Sequence, residues 1–434
     1  METTAEYGLA ESATNQICAG LVVIALFLEK FERIGNDGTY PFLPIPDLIF
    51  LSAVIVLAAK AAHDFRLGRI AVRPLGVKDL ALAGFVGLLV LLSAAAAMTQ
   101  PTDVTSDVQV VKTLSHLVVL LGVALLLGRV LSRALVEYSL FVFFACAVAA
   151  GVLAVAQALD QNLFHLGLAN ALDLISREGA EGFLQPCSIF SEPANLGYFS
   201  LGGLVLGVAF VTRRHRVLGL TGSAVCAAGL MLAAAVGPLA VAVSVTLYGL
   251  ALRRRLRVSA AAVAVAIGVA ALIWLSTPVS DTIDYRVEGI SNTARQETGI
   301  RPEGPSELRD ASAQLRTDLN RASIDTWRLA PVTGVGLGNT RRHFSELVVA
   351  GSSQAFNSAN AYVNLFGEAG PLGVAGLLAV LVALWWRNRK APARLDELTR
   401  VFVVILALEF LIINPLIMPP FWFWAGQRLA LQGD

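Results

Sequence analysis

Charged side chains make up only 15% of this 434-residue chain, against about 25% in soluble domains. That shortfall argues against a protein folded for water. Cysteine is sparse as well. Cys18, Cys146 and Cys226 fall within apolar runs and Cys187 has no evident partner nearby, so no disulfide framework is implied. No His, Cys and Asp cluster takes a metal-ligand spacing, no Walker-type loop occurs, and no carboxylate pair is placed for hydrolysis. Strand-like alternation is absent, which argues against an outer-membrane barrel. The acidic, polar start lacks a basic n-region and a small-residue cleavage site, so the first apolar stretch reads as a retained span. Internal repeats and low-complexity segments are missing too.

What the chain has in abundance is apolar length. Hydrophobic residues reach 56% and the mean hydropathy is +0.67. Runs of about 18 residues or more recur along the chain, each long enough to cross a hydrocarbon core of about 30 Å. They centre on Ile17–Leu28, Leu82–Ala97, Leu117–Leu127, Leu140–Ala156, Leu196–Val211, Val217–Ala235, Leu239–Leu252, Val258–Leu275, Val374–Trp386 and Val401–Ile413. In lipid every backbone amide must be satisfied within its own segment, so these runs must be helices. The expected fold is an all-α polytopic membrane protein of about 12 spans, or 11, in a single membrane-embedded domain covering 1–434. Pro415, Pro419 and Pro420 interrupt the last apolar region, so Phe421–Leu431 reads either as a short final span or as an interfacial segment.

Basic residues mark alternate connections. Lys60, Arg66, Arg69, Arg73 and Lys78 follow the second span, Arg129 and Arg133 the fourth, and Arg213, Arg214 and Arg216 the sixth. Arg253, Arg254, Arg255 and Arg257 follow the eighth, and Arg387, Arg389, Lys390 and Arg394 the tenth. Lys30 and Arg33 break the pattern, with Glu29 and Glu32 beside them. By the positive-inside rule this parity puts the N-terminus in the cytoplasm of a bacterial inner membrane. Two longer connections then fall on the periplasmic side, about 161–188 and about 277–357. Within the second, 306–329 reads as an amphipathic helix. Ser306 caps it, Glu307 suits its first turn, Pro331 stops it, and Leu308, Leu315, Leu319 and Trp327 form an apolar stripe.

The long loop carries Arg286, Arg295, Arg301, Arg309, Arg316, Arg321, Arg328, Arg341 and Arg342, and no lysine. Arginine's planar fork suits phosphate oxygens, so such a face fits a lipid pyrophosphate. Ten acidic residues share the loop, so most of these arginines can equally be surface pairs. Ionisable groups at the outer ends of spans single themselves out, because lipid exposure costs them most. They are Lys112 and His116, Glu192 in Phe190-Ser191-Glu192-Pro193, and Glu368; Glu409 lies deeper. Each has a plain alternative as a buried pair holding helices together. His165 and His343 fall in outer loops, where solvation and catalysis are both open. The glycine-rich stretch Pro331–Asn339 follows no strand, and reads as a tight turn returning to the membrane rather than a nucleotide loop.

That turn and the segment C-terminal to it resemble the O-antigen ligase and O-antigen polymerase superfamily. The family pairs a Pro-x-x-Gly-x-Gly-x-Gly-Asn-like turn with a His-Asn dipeptide, nine residues, then Gly-x-x-Gly opening a span. Here the turn is Pro331 to Asn339, the dipeptide position is Ala359-Asn360, and Gly370-Pro371-Leu372-Gly373 completes the pattern. Arg321 and Trp327 are similar to the family's Arg…Trp pair, and Phe190-Ser191-Glu192-Pro193 is similar to a Phe-x-Glu-Pro element of polysaccharide polymerases. The specific motifs cover about Arg177–Leu196 and Arg321–Gly373.

The resemblance implies a glycosyltransferase that takes an undecaprenyl-pyrophosphate-linked glycan on the periplasmic face and polymerises repeat units of an O-antigen or exopolysaccharide. It implies no metal and no cofactor. Its partners would be that lipid-linked oligosaccharide, an acceptor glycan or glycolipid, membrane lipids and a chain-length regulator, with no nucleic acid. Ligation to a lipid A-core sugar is the alternative within the family, and a multipass lipid or polysaccharide transporter the alternative outside it. A base would deprotonate the acceptor hydroxyl while arginines stabilise the leaving pyrophosphate. Arg321, Arg316, Arg309, Arg286 and Arg177 are the arginines so implied, the last two because Val236-Gly237-Pro238 stands where the family has Ser-Arg. Ala359, Asn360, Glu192 and His343 are the implied catalytic positions. Ala359 stands where the family has its histidine, and a methyl group can take no proton. Either this copy is disabled for turnover, or its base lies elsewhere, with Glu192, His343 and Glu368 as candidates.

Overall fold

The computed structural model describes residues 12–27, 45–68, 70, 74–100, 107–167, 176–178, 183–188, 190, 193–211, 215–251, 260–276, 279–297, 311–340, 360–388, 391–411 and 419–432. Its helices in chain order are α1 (Ala13–Phe27), α2 (Ile45–Arg66), α3 (Val77–Thr99), α4 (Asp107–Val130), α5 (Arg133–Leu159), α6 (Pro193–Phe210) and α7 (Arg216–Leu232). Next come α8 (Val236–Ala251), α9 (Ala260–Ser276), α10 (Val279–Glu297), α11 (Ala311–Leu329), α12 (Ala361–Trp385), α13 (Ala393–Glu409) and α14 (Pro419–Ala430). Among the described residues, each apolar run named above overlaps one of them. Five of these helices, α3, α4, α5, α6 and α12, are long and apolar enough to cross a membrane, and α9 with α10 passes the same test as a pair bent by 81°. The chain is an all-α membrane protein. One element lies outside the helical expectation, a hairpin of β1 (Ser176–Glu178) and β2 (Leu184–Pro186).

The chain divides into two compact units. The first holds 1–72, 130–288 and 392–401, and α5, α6 and α7 form its centre. Small residues let these helices close on one another, as in other lipid-embedded bundles. A Cβ on Gly203 would stand 2.5 Å from Ala147 Cβ and 2.7 Å from Cys226 Sγ, and one on Gly222 2.2 Å from the Phe144 ring. Beside them Ala158, Phe183, Met231, Leu232, Ala234, Val279 and Ile283 form an apolar cluster, which seats the start of α10 and the hairpin. Helix α10 was not foreseen from the sequence. Its signal is there in Val279, Ile283, Val287 and Ile290, spaced four, four and three.

The second unit holds 73–129, 289–391 and 402–434. Helix α12 runs against α3 and α11. At its end Arg428 Nε donates to Leu384 O and Nη2 to Trp386 O, both at 2.8 Å, and Lys78 Nζ donates to Trp386 O at 2.8 Å. These cations satisfy carbonyls that a helix terminus leaves open, where the macrodipole also favours positive charge. Lys78 donates to Asn388 Oδ1 as well, and Asn388 Nδ2 reaches Arg428 O at 3.3 Å. Helix α14, which carries Arg428, has 12 residues and buries Phe421, Trp422, Phe423 and Trp424. At about 1.5 Å per residue it falls well short of a bilayer core. Of the two readings of Phe421–Leu431, neither describes it well, since it is a buried core helix.

Candidate functional site

In the second unit the site is a join between two broken pieces of backbone. Helix α12 is interrupted at Gly370, whose φ of 65° and ψ of −170° leave the helical region, and Pro371 follows. Proline has no N–H, so the carbonyl four residues before it, that of Gly367, loses its helical donor. The break at Gly370 interrupts the ladder at Glu368 in the same way. Both carbonyls are taken by the glycine-rich turn. Val335 N–H donates to Gly367 O at 3.1 Å and Gly336 N–H to Glu368 O at 2.9 Å. Buried backbone groups need partners, and here each segment supplies what the other lacks.

The turn reaches that position only because its glycines take left-handed backbone. Gly334, Gly336 and Gly338 have φ of 67°, 88° and 79°, a region costly for other residues. Space is short as well. A Cβ on Gly334 would lie 2.3 Å from the Glu368 carbonyl carbon, and one on Gly370 2.5 Å from Val332 O. Below the turn Thr340, wholly buried, has its hydroxyl 2.9 Å from Glu368 Oε1 and 3.2 Å from Asn364 Oδ1. Leu337 N–H donates to Ser93 Oγ of α3 at 3.3 Å, and Asn339 Nδ2 to Val335 O at 2.9 Å.

Helix α11 leads into the turn. Leu319, Ser323, Thr326 and Ala330 form its buried face, and the Trp327 ring lies 4.6 Å from Phe366. Trp327 Nε1 donates to Pro331 O at 2.9 Å, tying helix to turn. Of the expected stripe of Leu308, Leu315, Leu319 and Trp327, the last two pack inward with small hydroxyl residues between them, while Leu308 and the Leu315 side chain lie outside what is described. Ser323 and Thr326 escaped notice because they are polar, yet each satisfies its hydroxyl on its own helix, Ser323 on Leu319 O and Thr326 on Ala322 O. Arg321 is exposed on α11, and Arg328 makes an exposed ion pair with Asp325 at 2.7 Å. Arg316 is in the same helix. Asn360 caps α12, its Oδ1 accepting from Tyr362 N at 3.0 Å and Val363 N at 3.2 Å. Ala359, the residue before that cap, lies outside the described residues, as do Glu192, His343, Arg309 and 306–310.

The first unit gathers a second set of polar groups at the hairpin. Arg177 pairs with Gln185 across β1 and β2. Asn162, in the π-helical turn that follows α5, clamps the hairpin by accepting from Leu184 N at 2.9 Å and donating to Leu184 O at 3.2 Å. Ser188 N donates to Gln157 Oε1 and its hydroxyl to Ala150 O, each at 2.9 Å. Phe190 stacks on Phe199 at 4.7 Å, which in turn stacks on Phe143 at 5.3 Å. From α10, Arg286 Nη2 donates to Gln185 Oε1 at 2.8 Å. Arg286, expected at a phosphate, thus meets a glutamine that sequence reading passed over, and Arg177 lies opposite that glutamine in the strand register. Lys112 and His116 are exposed on α4, and His165 is exposed just past the π-helical turn.

Residues 221–378 match the O-antigen ligase family, a stretch from α7 through the turn to the middle of α12. It contains the whole join described above and stops short of α14. No curated protein matches the chain. Members of that family are membrane glycosyltransferase-like enzymes of ligase or polymerase type. A glycine-rich turn docked on a helix broken at Gly-x-x-Gly lies inside the matched stretch, so this integral membrane protein is similar to the O-antigen ligase family over residues 221–378.

Proposed function

We propose that the protein polymerises repeat units of a cell-surface polysaccharide on the periplasmic side of the inner membrane, using an undecaprenyl-pyrophosphate-linked glycan as donor. The observation that carries this reading is the join of turn and helix, which holds the start of α12 and the arginine-bearing α11 within one unit. In the reaction an acceptor hydroxyl oxygen forms a bond to the donor's anomeric carbon while the bond to the pyrophosphate oxygen breaks. The hydroxyl proton passes to a base and the new negative charge stays on the pyrophosphate. Arginines answer that charge, with Arg321 and Arg316 on α11 and Arg286 and Arg177 in the first unit as the proposed groups. The reaction so drawn needs no metal. The twelve-span topology with a cytoplasmic N-terminus belongs to the same proposal, as does a chain-length regulator as partner.

Position 359 would place the base immediately before the α12 cap. Alanine there cannot serve, so transfer by this chain needs another acceptor of the proton. Glu368 is the one of the three candidates within the described residues. It is 5% exposed and tied to Thr340. If Glu368 is the base, Glu368→Gln abolishes transfer while keeping the fold, since glutamine can still accept from Thr340. Polymerase rather than ligase rests on the Glu192-Pro193 element. The family's description as O-antigen ligase supports the second reading, transfer of finished glycan to a lipid A-core sugar. A deletion strain separates them. Short glycans still attached to lipid A-core point to polymerase, whereas full-length glycan left on the carrier lipid points to ligase and sinks the polymerase reading.

A further inference from the structure

The outward surface of α4 is apolar except at one place. Val111, Val118 and Val119 are each at least half exposed on it, and nothing lies within 4 Å of where a Cβ on Gly122 would go. Lys112, Ser115 and His116 interrupt that surface, and all three are exposed. Arg129 marks the opposite end of the helix, where it pairs with Asp79 at 3.6 Å. At about 1.5 Å per residue, His116 stands about 20 Å along the helix from Arg129 and Lys112 about 26 Å. Both fall within the length of a hydrocarbon core, about 30 Å. Ionisable groups facing lipid at such depth are costly, and a function is their default reading. The apolar stem of a lysine can lie along the helix and carry its ammonium to the headgroups.

The neighbours of this place define it further. Lys112, His116, Val119, Val123 and Leu127 follow one another at helical intervals of four and three, so they share one side of α4. Toward Arg129 that side is covered. Val123 and Leu127 are buried, and a Cβ on Gly426 of α14 would lie 2.9 Å from Leu127 Cβ. Helix α14 has only 12 residues, and from Val119 to Lys112 the same side of α4 is exposed. Around the helix from Lys112, Val110 packs on the glycine-rich turn, its Cγ2 3.2 Å from where a Cβ on Gly336 would stand. Helix α4 thus carries an exposed amine on one side and the turn on another, a helix diameter of about 10 Å apart. Among the described residues no ion pair takes up Lys112. Its ammonium offers three donors and a compact positive charge.

We propose that Lys112, with His116 one turn beneath it, is where the carrier lipid docks from the surrounding leaflet before it passes to the join. The diphosphate rests on the Lys112 ammonium, and the prenyl chain runs along Val119 and Gly122. This rests on the reading of the donor as a lipid diphosphate and on the proposed topology, which puts this end of α4 in the outer leaflet. A phospholipid also brings a phosphate. The carrier is the occupant chosen here because the helix that bears the amine also packs on the turn, so a lipid held at Lys112 stands beside the proposed site.

The test uses the full chain in phosphatidylcholine nanodiscs, with undecaprenyl diphosphate as probe. Undecaprenol is the control that lacks the anion, and phosphatidylglycerol is the other lipid phosphate. Bound lipid is read by native mass spectrometry, which does not depend on what stands at position 359. Lys112→Met keeps an apolar stem and removes the charge. It is expected to weaken undecaprenyl diphosphate about fivefold, the effect of one lysine at a lipid surface, with undecaprenol and phosphatidylglycerol unchanged. Lys112→Arg is expected to bind as the unsubstituted chain does, and His116→Leu to weaken the diphosphate by a smaller factor. Unchanged diphosphate binding in Lys112→Met overturns the site and leaves the lipid-diphosphate reading intact. Loss of phosphatidylglycerol in step with the diphosphate makes Lys112 an anchor for any anionic lipid and overturns its assignment to the carrier. A change of oligomeric state with lipid binding kept gives the patch to a protein contact and overturns the proposal too. If the unsubstituted chain binds undecaprenyl diphosphate and undecaprenol equally, the lipid-diphosphate reading fails and takes this site with it. Should Lys112→Met not fold, Lys112→Gln decides in its place, and failure of both to fold would assign Lys112 to structure and overturn the proposal.

Discussion

Gly334 and Gly370 press against each other's segments at the join, and neither can carry a side chain there. Gly334 combines a φ of 67° with a Cβ position 2.3 Å from the Glu368 carbonyl carbon. Left-handed backbone alone costs an ordinary residue about 1–2 kcal/mol, and the clash adds to it. Gly334→Ala is therefore expected to lower the thermal midpoint of the purified protein in detergent by several degrees. Gly84→Ala makes the control, since nothing lies within 4 Å of where its Cβ would go. A Gly334→Ala protein as stable as the control would contradict the account of the turn. Ala359 poses a chemical question instead, because its methyl group can take no proton. Its neighbours keep the family pattern through Asn360, whose amide is held at the cap of α12, so a histidine restored at 359 enters a helix start that is already built.

At the scale of elements, Pro371 and the turn act as donor-deficient and donor-rich halves of one device. Pro371→Ala would give residue 371 an N–H able to compete with Val335 for Gly367 O. The expected result is a straighter α12 and a loosened turn, read as faster hydrogen exchange at the amides of Val335 and Gly336. Exchange as slow as in the unsubstituted chain would show that the turn does not depend on the proline. The turn itself was legible in the residues, because glycine spacing and Pro331 announce a left-handed return. Its docking on α12 was not, since hydrogen bonds between residues 335 and 367 leave no local periodic trace. Helix α11 was legible from Leu319 and Trp327, but its buried Ser323 and Thr326 hide from any apolar count. Helix α10 was missed because charged and polar residues dilute its stripe, and the hairpin because three-residue strands are too short to alternate visibly. Helix α14 was ambiguous for a different reason. Its residues read as apolar enough for lipid, yet Gln427 and Arg428 are buried by protein, and Arg428 serves the end of α12.

For the molecule as a whole, charge segregation and site placement make one joint claim. The basic clusters predict that the connection 277–357 lies outside the cytoplasm with α11 and the turn. Single cysteines introduced into a chain freed of its own four are the direct check. A cysteine at Arg321 should react with an impermeant reagent added to intact spheroplasts, and one at Arg255 only after lysis. The reverse pattern would invert the topology and remove the donor from reach of the site. The central claim is that this face transfers glycan from a lipid diphosphate, and that position 359 limits it. It is tested most directly by transfer in vitro with purified lipid-linked oligosaccharide, comparing the chain as it stands, Ala359→His, and Ala359→His combined with Arg321→Ala. The account predicts little or no product from the first, a rise of about tenfold or more with histidine as general base, and loss of that gain when Arg321 is removed. Equal product from the chain with alanine and the chain with histidine at 359 would contradict it.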